Sequence, residues 1–100
     1  MHLADLLWEE MRERGWTITD MVAHMGPHGS AHNRDICQLS WEIFFEVREP
    51  HVALGEVMAR QLATAFGISK EFFLSFHAAW MANKCLLELL ELRAEIDSLV

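Results

Sequence analysis

Met58-Ala59-Arg60-Gln61-Leu62-Ala63-Thr64-Ala65-Phe66-Gly67-Ile68-Ser69-Lys70-Glu71-Phe72-Phe73-Leu74 reads as two helices around one sharp corner. Met58, Leu62 and Phe66 recur at four-residue intervals, the signature of a single helix face. Gly67 suits the left-handed position that ends a helix. Ser69 is placed to cap the helix that follows. A helix from about Glu56 to Phe66 is therefore expected, then a second whose inward residues are Phe72, Phe73, Phe76 and Trp80.

Toward the N-terminus the pattern repeats with different punctuation. Leu3, Leu7 and Met11 mark one face of a helix from Leu3 to Arg14, and Gly15 closes it. Thr17 and Asp20 have capping-box spacing, and Trp16 with Met21 has that of a hydrophobic staple. A short helix is expected to begin at Thr17 and to stop at Gly26-Pro27. Pro27 to Asn33 is a small polar loop. A third helix is expected from about Arg34 to Arg48, with Asn33 as N-cap and with Ile36, Leu39, Ile43 and Val47 inward beside Phe44. Glu49-Pro50 would break it, because the residue before proline avoids helical angles. No segment alternates long enough for a strand, so the class is all-α.

Beyond Trp80 the helix is expected to run on, or to kink near Asn83. Ala78, Ala82, Cys85, Leu89, Leu92, Ile96 and Leu99 fall alternately four and three apart, which is a heptad seam. Leu86, Leu87 and Leu90 lie off that seam and add more apolar surface than a small domain covers. Residues 1–82 thus read as one domain and 83–100 as a helical extension that pairs two copies through Cys85, Leu89, Leu92, Ile96 and Leu99. On the alternative reading the seam packs on its own domain.

One hundred residues with 52% hydrophobic content can bury one core. The formal net charge is −7, and the eight Lys and Arg residues are scattered. Nucleic-acid binding usually leaves a basic footprint, so an acidic chain of this kind suits a basic protein partner better. Cys37 and Cys85 have no paired spacing and read as thiols in a reducing compartment. No apolar run reaches the roughly 20 residues of a membrane span. A cytoplasmic protein without a membrane anchor is expected.

Two stretches resemble a known family. Glu13 to Gly26 resembles the opening of helix-turn-helix antitoxins of the HigA type, within the wider XRE or Cro-repressor-like family. Met58 to Trp80, with Gly67-Ile68-Ser69-Lys70-Glu71-Phe72-Phe73-Leu74 and Ala78-Ala79-Trp80, resembles that family's fourth and fifth helices. The resemblance implies a five-helix Cro-like fold and a homodimer on double-stranded operator DNA. Such a protein is a transcriptional regulator without enzymatic activity, often autoregulatory or of phage origin. Antitoxin relatives also neutralise a protein toxin. The chain departs from the pattern at Ile18, where Gln is frequent, and at Val22, where Ala is usual. Its turn after Gly26 is also longer than a helix-turn-helix normally allows.

Under that resemblance the DNA-facing set is Arg34, Gln38, Trp41 and Arg48, with Thr17 and Thr19 contacting the backbone from the start of the second helix. The third helix also carries Glu42, Glu46 and Glu49, which repel phosphate, and a second apolar stripe of Cys37, Trp41 and Phe45. That stripe is either core or, as the runner-up function, the anchor of an acidic protein-binding module that sequesters a basic partner such as a toxin. His24, His28, His32 and Cys37 invite a zinc reading, but Gly26-Pro27 breaks their spacing and no finger pattern occurs. No nucleophile–base motif and no phosphate loop is present, so neither an enzyme nor a cofactor or metal site is expected.

Overall fold

A computed structural model describes residues 2–48 and 53–98. Among these residues five helices follow in order: α1 (Leu3–Arg14), α2 (Ile18–Ala23), α3 (Ala31–Glu46), α4 (Glu56–Phe66) and α5 (Lys70–Ser98). No strand occurs among the described residues. Three pairings build the body: α4 lies along α5, α2 along α3, and α1 against α5. Leu3, Leu7, Met11, Met21, Leu62, Phe73 and Trp41 form the fully buried centre.

The termini of these helices follow from single residues. Gly15 adopts a φ of 69° and returns its N–H to Arg12 and Met11 carbonyls. Gly67 closes α4 with the same left-handed angle. At α2 the capping box forms, but Thr17 is the cap and the helix begins at Ile18. The Asp20 N–H donates to Thr17 Oγ1 at 3.2 Å, and the Thr17 N–H donates to Asp20 Oδ2 at 2.8 Å. Those bonds hold the Asp20 carboxyl below its ordinary range. A six-residue helix has little stability of its own, so Thr17→Ala should lower the midpoint of urea unfolding by an amount worth about 1 kcal/mol.

Several expectations change. Helix α2 ends at Ala23, three residues before Gly26. Helix α3 starts three residues earlier than Arg34, because Ser30 and not Asn33 is the cap: Ser30 Oγ accepts the Asn33 N–H at 3.1 Å. Asn33 instead donates its side-chain amide to the His28 carbonyl at 3.0 Å, which ties the loop to the helix. Glu49 and Pro50 lie outside the described residues, as does Leu99. On α5 the inward residues are Phe73, His77 and Trp80, whereas Phe72 is exposed and Phe76 half-buried. The reason is spacing: 73, 77 and 80 share one face, and 72 and 76 are rotated off it by about 100°.

The largest correction concerns α3. Its buried residues are Cys37, Trp41 and Phe45, whereas Ile36, Leu39, Ile43 and Val47 are exposed. The stripe expected inward faces solvent, and the second stripe, open between core and interface, is core. The Trp41 indole N–H donates to Gln61 Oε1 of α4 at 3.2 Å, and its ring meets Phe44 edge-on at 5.3 Å. Cys37 Sγ lies 3.9 Å from Met25 Sδ. Aromatic rings remove more apolar area per residue than aliphatic chains and so win the interior position.

Helix α5 is continuous through Asn83 and runs 29 residues. Its last buried residue is Trp80, and the remainder projects as an arm, which makes the molecule 59 × 25 × 22 Å. On that arm Leu86, Leu89, Leu90, Leu92 and Ile96 are each more than half exposed. No helix among the described residues is long and apolar enough to cross a membrane.

Candidate functional site

The surface that stands out is the outward side of α3. Ile36, Leu39, Ile43 and Val47 are between 51% and 58% exposed, a row of aliphatic chains that normally would be core. Their spacing of three and four residues keeps them in one line along the helix. Asp35, Glu42 and Glu46 run down one flank of the row, and Glu42 also accepts from Gln38 Nε2 at 3.2 Å. On the other flank α3 meets α4 across a groove. One hollow there, of about 290 Å³, is lined by Ile43, Phe44, Val47, Leu54 and Met58. The next, of about 360 Å³, is lined by His28, Ile36, Val57 and Gln61, and shares Ser40 and Met58 with the first. The two hollows thus form one groove, apolar at the Val47 end and more polar toward the His28 end.

The residues expected to face DNA are not brought together. Trp41 is fully buried and cannot enter a groove of the double helix. Arg34 stands exposed in the first turn of α3, but Gln38 is half-buried and engaged with Glu42. Arg48 lies past the helix end, where its guanidinium pairs with the Asp5 carboxylate of α1 at 2.6 Å. Thr17 and Thr19 are exposed, but Thr17 Oγ1 is committed to the α2 cap, with the Asp20 carboxylate beside it. The cause of this dispersal is the exchanged face of α3: at about 100° per residue, Arg34 and Gln38 fall on the side of Trp41.

His24, His28 and Cys37 are also engaged separately. His24 stacks on Trp16 at 4.1 Å and contacts the Asp20 carbonyl, while His28 Nε2 contacts the Val22 carbonyl at 2.9 Å. Cys37 is buried, and burial raises its thiol above the ordinary range. No group of three His, Cys, Asp or Glu side chains among the described residues is arranged to hold a metal ion.

One buried polar cluster joins the start of α1 to α5. His2 and His77 are both almost fully buried, 4% and 2% exposed, with ring centroids 5.3 Å apart. Trp80 lies edge-on to His2 at 4.4 Å and Phe44 at 5.4 Å. The Ala4 N–H donates to His2 Nδ1 at 2.9 Å, so His2 is the N-cap of α1. Histidine is not among the preferred caps, which is why its role is invisible in the sequence.

Comparison with protein-family models, with curated proteins and with solved structures finds no match to this chain.

Proposed function

We propose that this chain is a non-enzymatic binding protein on a Cro-like helix-turn-helix scaffold, and that its working surface is the outward face of α3 with the groove toward α4. The partner is a basic protein segment that presents an amphipathic helix, as a toxin would to an antitoxin. One observation carries the reading: four large aliphatic side chains stand in a row in solvent on a helix whose other side is core. Burial of each would contribute about 1–2 kcal/mol, and a helix laid in a groove is anchored by residues at this spacing. The acidic flank of Asp35, Glu42 and Glu46, with a net charge of −7, selects a cationic partner.

A second reading, operator DNA binding as a regulator, is favoured by Arg34. It stands exposed at the end of α3 that reaches base edges in helix-turn-helix proteins.

Titration with a synthetic helical peptide tests the first reading. The peptide carries Leu at helical spacing on one face and Lys on the other; a scrambled peptide of the same composition is the control. The ordered peptide should bind, and Leu39→Ser with Ile43→Ser should weaken it at least about tenfold, a loss of roughly 1.4 kcal/mol. Glu42→Lys with Glu46→Lys should weaken it further. Equal binding of both peptides, or indifference to the α3 variants, sinks the proposal. Specific, salt-sensitive binding to DNA from the protein's own upstream region, strengthened by the same charge reversals, would favour the second reading.

A further inference from the structure

Helix α5 has two sides, and its continuity fixes where each one points. Phe73, His77 and Trp80 face the body. Carried along the same unbroken helix at about 100° per residue, that side leads to Lys84, Leu87, Glu88 and Glu91. Apart from Leu87, the side of the arm that lines up with the body is polar. Lys84 and Glu88 accordingly line a hollow with His2, Asp5 and Arg48. Ala78, Ala82, Cys85, Leu89, Leu92 and Ile96 are turned away from the body, and all but Cys85 are exposed.

Those six residues are spaced four, three, four, three, four. The series reads the same in both directions, with its midpoint at Leu87. Its side chains are small in the first half and large in the second. We propose that two copies of the chain pair through α5 in antiparallel orientation, about a two-fold axis at Leu87. Each layer then joins one small residue to one large: Ala78 to Ile96, Ala82 to Leu92, and Cys85 to Leu89 of the second copy. The inference rests on α5 alone and stands whatever occupies the α3 face.

Packing favours this orientation. Two helices hold a constant separation of about 8–10 Å only if the paired side chains sum to similar volumes along their length. Antiparallel pairing gives that in every layer. Parallel pairing sets alanine on alanine near the body and leucine on leucine at the tip, so the axes splay and voids open. The seam spans 18 residue steps, about 27 Å, and Leu86 lies beside the axis, where it meets its counterpart. A stable interface needs about 600 Å² or more from each partner. Leu86, Leu89, Leu92 and Ile96, each more than half exposed, are the large side chains that supply it.

Charge favours the other orientation. In a parallel pair Glu88 would meet Arg93 of the second copy, whereas in the antiparallel pair Glu88 lies near its own counterpart. An exposed ion pair contributes severalfold less than the burial of one leucine, so volume decides.

Disulfide mapping on the full chain tests the orientation. In a Cys85→Ser background, Ala78→Cys and Ile96→Cys are made singly and together, and a mild copper–phenanthroline oxidant closes any thiol pair within reach. The double variant should form a covalent dimer, and neither single variant should. In a parallel pair both singles would cross-link. Sedimentation of the unmodified chain is the second measurement. It should give a dimer, and Leu89→Asp should weaken that dimer at least about a hundredfold. Cross-linking by the single variants, no cross-linking by the double variant, or a monomeric unmodified chain each overturns the proposal.

Discussion

Trp41→Ala should cost about 3–5 kcal/mol of folding free energy, the largest loss of any single substitution on α3. The side chain is fully buried, and its indole N–H has a partner in Gln61. Truncation therefore leaves a cavity among Phe44, Phe45 and Cys37 and strands a hydrogen-bonding group on α4. Trp41→Phe keeps most of the volume and loses the N–H, so it should cost about 1–2 kcal/mol. Leu39→Ser, two residues away on the opposite face, should change stability by no more than about 0.5 kcal/mol. Urea unfolding followed by circular dichroism, at one protein concentration, measures all three. Were Trp41 the exposed residue and Leu39 the core residue, the ranking would invert.

Acid should destabilise the fold through His2. Burial, with help from the neighbouring His77 and the Arg48 charge, lowers its pKa from 6.5 to about 4, and the nearby Asp5 only partly opposes this. A folded pKa below the unfolded one means that the unfolded chain binds more protons between those two values. The neutral ring's contribution is therefore complete above about pH 6.5 and is lost as the pH falls toward 4. The same protonation removes the Nδ1 lone pair that caps α1. Between about pH 7 and pH 5 the loss should be about 2 kcal/mol. His2→Asn supplies a good cap that does not titrate, so its stability should be flatter over the same interval. Urea midpoints at the two pH values decide it. A variant that keeps the parent's slope would place the proton elsewhere.

How far the sequence could be read depended on how many answers each segment allowed. At α4 one apolar stripe, one glycine and one serine admitted a single solution, and the element falls where the pattern places it. The same holds for α1 with Gly15 and for the Thr17–Asp20 cap. Helix α3 carries two apolar stripes on nearly opposite sides. Periodicity identifies a helix but cannot rank two stripes on it. The choice was made by partners distant in sequence, Gln61 for Trp41 and Met25 for Cys37. Because the site was inferred from whichever face was left outside, Arg34, Gln38, Trp41 and Arg48 were displaced along with the core. The acidic flank survived the exchange, because Glu42 and Glu46 border either stripe. The described heptad positions, Ala78 to Ile96, fall on one continuous helix, as their spacing requires.

The far end of α5 has an electrostatic consequence of its own. Its last turn holds no cation, while Glu95 and Asp97 stand near it. The helix macrodipole presents its negative pole there, so each carboxylate raises the free energy of the final turns by a few tenths of a kcal/mol. Intrinsic helicity toward Ser98 is thus weakened by the same residues that keep the arm hydrated. Order in those turns must be supplied by contacts on their aliphatic side, and part of any association free energy goes into winding them. Affinity through the arm should accordingly fall short of what its area implies and decline steeply on warming, the thermodynamic signature of folding coupled to binding.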